Sequence, residues 1–255
     1  MRYRLDLHTH TEASMDSRNR LEDMTKAAAE KGISALAVTD HNRCSPIFDE
    51  TVMNGVLLIP GVEFSTEYGH LLGLFLERPC HAEGEETGRV QFAPAAEAIH
   101  EAGGLCILAH PYELTGHTPE EISAAIKKNE VLLDGIEIYN CRAAKKRKNA
   151  NSLARKAAEN FAGPVLMTAG SDGHTLKEIG GASVTVEAEK LTLPALREAL
   201  KKPAEYSCGK CPHMAIAKSQ WVKLRKKKAG FAAYIRWLAF AGVCLLRTLK
   251  GVFSS

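Results

Sequence analysis

Between residues 3 and 200 the chain repeats one unit: a short apolar run ending in ionisable residues, an amphipathic stretch of helical period, then the next run. That rhythm is how βα units are written in sequence, and it narrows the fold to an α/β protein with a parallel sheet. Strands are expected over 4–7, 35–39, 56–59, 70–75, 105–109, 135–139, 165–168 and 183–186. Helices are expected over about 21–32, 94–103, 118–129, 146–162 and 192–201, with Gly32 and Gly103 placed as C-caps. Residues 79–92, with Pro79, Gly84 and Gly88, lack any period and are expected to form an exposed loop.

The ionisable residues sit at the C-terminal ends of these runs. Asp6, His8 and His10 close the first and Asp40 and His41 the second; Glu63 follows the third and His70 opens the next. His110 ends the fifth, Glu137 lies in the sixth, and Asp172 and His174 follow the seventh. In a parallel barrel all those ends open onto one face, where the active sites of such folds are built. Side-chain alternation puts His8 and His10 on one side, about 6–7 Å apart at ~3.3 Å per residue, so both can grip one ion. A single His-x-His pair is commonly just a satisfied polar pair; the same chemistry at seven strand ends points to a metal site. Imidazoles with carboxylates and no thiolate suit zinc, manganese or iron better than magnesium or calcium, which favour all-oxygen shells.

In order along the chain, DLHTHT (6–11) with Ser14 and Asp16, AVTDHN (37–42), GVEFST (61–66), HLLGL (70–74), ILAHP (107–111), GIEIYN (135–140) and AGSDGH (169–174) resemble the motifs of PHP (polymerase and histidinol phosphatase) domain phosphoesterases. The resemblance runs from residue 5 to about 187. It implies a distorted (β/α)7 barrel and a multinuclear site of two or three divalent ions. By position, His8, His10 and Asp172 would bind a first metal, with Glu63 bridging to a second held by His70 and His110. Asp16, His41 and His174 would hold a third. The implied activity is hydrolysis of a phosphate monoester or diester by a metal-activated water, the substrate being a nucleotide, a sugar phosphate or a short oligonucleotide. Asp40, His41 and His174 are then the candidate proton carriers. Asn140 and Arg142, just past the sixth strand, and Lys177, after the last motif, are candidate substrate contacts. Because the family also occurs fused to DNA polymerases, the alternative is a non-catalytic or proofreading module within a nucleic-acid-processing assembly.

The character changes near residue 205. After Glu205 there is no Asp or Glu but ten Lys and Arg, leaving residues 1–205 with 23 basic against 30 acidic residues, a net −7. The expected organisation is a PHP-type domain over 1–205 and a basic, partly apolar helical tail over 206–255. Within the tail, residues 218–250 join Trp221 and the run Arg225 to Lys228 to an apolar stretch interrupted by Arg236. An Arg at mid-helix disfavours spanning, so a peripheral helix drawn to an anionic membrane surface is expected, against packing on the barrel or on a partner subunit. Cys208, Cys211 and His213 lack a second ligand pair and read as a turn with free thiols. The seven scattered Cys fit a reducing compartment, and the start of the chain carries no signal-peptide pattern. A cytoplasmic protein, peripheral on the inner face of the membrane, is expected.

Overall fold

The computed structural model describes residues 1–113, 116–143 and 147–253, with side chains described to residue 249. Its strands are β1 (Arg2–Asp6), β2 (Ala35–Val38), β3 (Val52–Met53), β4 (Val56–Thr66), β5 (Gly69–Leu74), β6 (Leu105–Ala109), β7 (Gly135–Asn140), β8 (Leu166–Gly170), β9 (Ala182–Glu187) and β10 (Glu205–Cys208). The α-helices are α1 (Leu21–Glu30), α2 (Phe92–Glu101), α3 (Pro119–Asn129), α4 (Ala150–Glu159), α5 (Leu193–Ala199), α6 (His213–Lys226) and α7 (Phe231–Phe253). Residue 146, where the fourth helix was expected to start, lies outside the described residues.

The strands form one sheet in the order β10-β9-β1-β2-β4-β5-β6-β7-β8, with β3 beside β4. The Leu7 amide donates to the Ala169 carbonyl (3.3 Å) and Thr9 bridges Gly173 in parallel, so the sheet nearly closes into a barrel. The parallel sheet expected from the βα rhythm is corrected to a mixed one: β4–β5, β5–β6, β1–β9 and β9–β10 are antiparallel. Only Glu67 and Tyr68 separate β4 from β5, which permits a hairpin and leaves no room for the crossover a parallel pair needs. This reversal has a functional result. The start of β5 lies at the same end of the barrel as the C-terminal ends of its antiparallel neighbours β4 and β6, which is how His70 reaches the others.

Alternation along the strands divides the apolar residues into two sets. Leu5, Ala35, Ala37, Leu57, Ile59, Leu72, Leu74, Ile107 and Ala109 fill the barrel interior. Phe64, Leu71, Cys106, Leu108, Ile136 and Ile138 face outward beneath α2, α3 and α4, where Ala95, Ile99, Ile122 and Ala154 cover them. Strands buried on both faces read as continuous apolar runs, as in β2 and the first half of β4. The inward parity of Leu57 and Ile59 continues to Glu63, which pairs across the sheet with inward Leu72. The apolar filling therefore gives way to charged side chains at one mouth of the barrel. Helix α3 starts at a capping box: Thr118 accepts from the Glu121 amide and Glu121 accepts from the Thr118 amide.

The basic tail is docked on the body. Strand β10 pairs with β9, so the compositional break at residue 205 falls inside a strand. Helices α6 and α7 pack as a hairpin in which Trp237 Nε1 donates to the Ala217 carbonyl (2.8 Å) and the Trp221 and Trp237 rings lie 4.6 Å apart. Lys226 Nζ donates to the carbonyls of Glu12 (2.8 Å), Ser14 (2.6 Å) and Ser17 (2.9 Å), tying α6 to the loop after β1.

Candidate metal centre

Glu63 stands at the middle of the mouth, fully buried, with no Lys or Arg against it among the described contacts. Its two oxygens sort five imidazoles into two groups. Oε1 faces His70 Nδ1 (2.6 Å) and His110 Nε2 (3.1 Å). Oε2 faces His41 Nδ1 (2.9 Å), His8 Nε2 (3.3 Å) and His10 Nε2 (3.3 Å). Burial opposes ionisation of Glu63, but His41, His70 and His8 hold its carboxyl well below the usual range.

Two more carboxylates complete the cluster. Asp172 Oδ1 lies 3.2 Å from His10 Nε2, 3.3 Å from His174 Nδ1 and 3.7 Å from His8 Nε2. Asp16 Oδ1 lies 3.2 Å from His174 Nε2 and 3.7 Å from His41 Nε2. The nine residues expected as metal ligands, His8, His10, Asp16, His41, Glu63, His70, His110, Asp172 and His174, thus converge on one pocket of about 260 Å³, with His8 and His10 buried beneath it.

Several imidazoles are held from behind. His8 Nδ1 lies 3.1 Å from Glu137 Oε1, and His10 Nδ1 lies 3.0 Å from Ser14 Oγ, which donates to Asp40. His174 Nδ1 donates to the Asp172 carbonyl (2.8 Å), and His110 Nδ1 lies 3.3 Å from Glu113. A proton held on the outer nitrogen leaves the inner one as a lone pair, which is how proteins prepare histidine for a cation. His70 Nδ1 and His110 Nε2 bond to Glu63 Oε1, but six other inner atoms, His8 Nε2, His10 Nε2, His174 Nε2, His41 Nδ1, Asp16 Oδ1 and Glu63 Oε2, are buried with only one another nearby and no hydrogen bond of good geometry. Buried polar atoms are nearly always paired, so this convergence fits divalent cations as the missing partners. Burial, reinforced by His174 and His41, holds His10 well below its ordinary pKa, in the neutral ligating form.

The backbone is bent to serve the cluster. His110 (φ 27°) and Asp172 (φ 54°) both adopt left-handed conformations that non-glycine residues avoid, and such strain collects at functional sites. A side chain at Gly170 would overlap His8 and crowd Glu137, so only glycine lets β8 approach this closely. Asp6 accepts from the amides of Ser171 (2.8 Å) and Gly180 (2.7 Å), joining the end of β1 to the loop after β8; burial pushes its pKa up to about 6.

The other expected site residues are placed differently. Asp40 accepts from the Thr11 amide and hydroxyl and from Ser14 Oγ, so its oxygens are engaged in positioning that loop and, through Ser14, His10. Asn140 is fully buried and bonded to Glu137 and to the amides of Arg142 and Ala143, which removes it from the pocket. Lys177 is exposed and lines a separate cavity. Arg142 does line the metal pocket, held by Glu178 Oε1 (2.8 Å) and Ser219 Oγ (2.7 Å). Sequence reading missed the roles of Glu137 and Glu113 behind the histidines, and of Lys223 on α6 and Lys227 at its C-cap, which line the pocket. The alternation of GIEIY, which puts Glu137 inward, was a usable signal. Nothing in the local pattern of α6 announces that it faces the site.

A family profile described as PHP domain matches residues 6–193. An uncharacterized protein of Methanocaldococcus jannaschii is 28% identical over 183 residues, covering 71% of this chain and 69% of that protein. A probable phosphatase of Shewanella amazonensis is 28% identical over 208 residues, covering 71% and 80%. Among solved structures, the lesion-specific endonuclease Q of Pyrococcus furiosus aligns with a TM-score of 0.58 at 17% identity, over 81% of this chain and 57% of that one. The chain thus spans little more than half of that endonuclease. A two-domain protein of Bacteroides vulgatus containing a predicted PHP-like metal-dependent phosphoesterase aligns with a TM-score of 0.53 at 18% identity, over 86% and 69%. At such identities these structures speak to the fold.

Proposed function

The chain belongs to the PHP domain family, and from that premise we propose that it is a metal-dependent phosphoesterase acting on a small phosphorylated substrate. The observation that carries the reading is the set of buried, unpaired imidazole and carboxylate atoms converging around Glu63. His8, His10, Asp172 and Glu63 would hold one cation and Glu63, His70 and His110 a second. Asp16, His41 and His174 would hold a third. Manganese, zinc or iron suits these donors. Cations there supply Lewis-acid charge that acidifies water and offsets charge on a phosphoryl group. The chain's own residues do the rest: Glu137, Ser14 and the Asp172 carbonyl fix the imidazoles, and Asp40 holds the loop that carries Ser14. Arg142, Lys223 and Lys227 give the pocket a cationic wall for a phosphate. The relatives called probable phosphatases support the same class. The test is phosphate release from a panel of nucleotides, sugar phosphates and short oligonucleotides with manganese or zinc added. Turnover abolished by chelation is expected; full activity in excess chelator, or none on any ester with metal present, contradicts the proposal and in the second case favours a non-catalytic module.

The tail carries a second element of the proposal, an anionic membrane surface as partner. Phe231–Leu249 is long and apolar enough to cross a membrane, though Arg236 and Arg247 interrupt it. With Trp237 and Tyr234 packed on α6, α7 leaves Phe231, Ile235, Leu238, Leu245, Leu246 and Leu249 exposed along one stripe. Apolar residues beside a basic segment lacking any acid fit a helix lying in an anionic interface. Flotation with phosphatidylglycerol vesicles is expected for the full chain and not for Leu238→Glu/Leu246→Glu; equal flotation of both would refute it.

A further inference from the structure

A second cavity, of about 420 Å³, lies against the metal pocket, between the barrel and the α6–α7 hairpin. His174 lines both, so the two spaces meet at a residue of the metal cluster. The walls of the second are Leu176, Met214, Val222 and both of the chain's tryptophans, Trp221 and Trp237, with Arg18 and Lys218 at the edge. Its polar side chains are spent elsewhere: the Asn19 amide donates to the His10 carbonyl (3.1 Å), and Trp237 Nε1 to that of Ala217. What remains for an occupant is carbon surface and aromatic ring, with the cations of Arg18 and Lys218 at the rim. Cavities of a few hundred Å³ lined this way are the usual form of small-molecule sites.

The geometry points to a bipartite substrate site, in which the metal pocket takes a phosphate and the tryptophan-lined cavity takes an apolar leaving group attached to it. The substrate class is an amphiphilic phosphate ester. The inference rests on the phosphoesterase reading and adds the nature of the alcohol. His174 is a wall common to both spaces, and the last turns of α6 line both, through Lys223 on one side and Val222 on the other, so a single ligand lying along this wall has its phosphate at the ligand cluster and its apolar part against the tryptophans. Every wall residue contributed by α6 or α7 lies beyond residues 6–193, so this selectivity belongs to the tail.

Because both tryptophans border the cavity, their fluorescence reports its occupation without any turnover, and titration calorimetry gives the affinity of ligands that reach only the metal pocket. The metal-loaded full chain is titrated with n-octyl phosphate below its micelle concentration, with glycerol 1-phosphate and with inorganic phosphate. Octyl phosphate is expected to bind at least about tenfold tighter than the other two, the transfer of a few methylenes accounting for that factor. Met214→Asp, which sets a charge against the chain, and Val222→Trp, which fills the space, should each erase the preference while inorganic phosphate still binds. Equal affinity for the three ligands, or an undiminished preference in both variants, would overturn the inference. So would a response that fades with rising protein concentration, because a second copy of the chain would then own the cavity. Binding with this preference but no hydrolysis of any ester would instead count against the phosphoesterase reading and leave the bipartite site standing.

Discussion

Glu63 concentrates the logic of the centre in one side chain. A carboxylate buried beneath five imidazoles, each oxygen facing a different subset, is suited to share two cations, and no lysine or arginine stands in for them among the described contacts. Replacing it by glutamine keeps the shape and removes the charge. Glu63→Gln should lose metal affinity by more than the roughly 10- to 100-fold typical of residues behind a ligand, and turnover should fall with it. Metal content and phosphate release measured on the same preparation check this, and near-normal values for both would contradict it. His110 offers a pH test in the metal-stripped protein. Burial works against its proton, but Glu113 and Glu63 raise its pKa from 6.5 to about 9. A raised histidine contributes stability fully present below pH 6.5 and lost as the pH climbs through 9. A cation must displace that proton, so zinc affinity should increase across the same window. Titration calorimetry in buffers of different ionisation enthalpy will show proton release near pH 7.5; none would contradict the account.

At the scale of elements, legibility depended on how local the signal was. The strands carrying the ligands were readable because period and chemistry coincide: β6 occupies 105–109 as the pattern implies, and each ligand-bearing motif ends or begins a strand. Strand direction was not readable, since a buried run looks alike whichever way it pairs, and only the two-residue turn between Thr66 and Gly69 betrays the hairpin. Asn140 looked available because it ends a strand beside the site, whereas its amide is consumed in fixing Glu137 and the turn that follows. Helix α6 was invisible as a site element, its lysines lying some two hundred residues from the loop they touch. That contact is testable. Burial lowers the pKa of Lys226, whose ammonium caps three carbonyls of the loop carrying Ser14 and Asp16. Lys226→Met should cost about 1 kcal/mol of stability, discounted for exposure. It should also weaken the cation held by Asp16, His41 and His174; an unchanged metal content and melting temperature would show the contact to be incidental.

Over the whole molecule, a nearly closed barrel gathers residues from six strands and their loops into a buried cluster, and the tail builds an additional wall at its mouth. Everything functional depends on whether that cluster binds several cations at once. The most direct measurement is the metal content of the purified full chain by elemental analysis after equilibration with manganese or zinc and removal of free ions. About two to three equivalents per chain are expected, falling sharply when His8 and His10 are replaced by alanine while the fold persists. A folded chain that retains no metal would contradict this expectation.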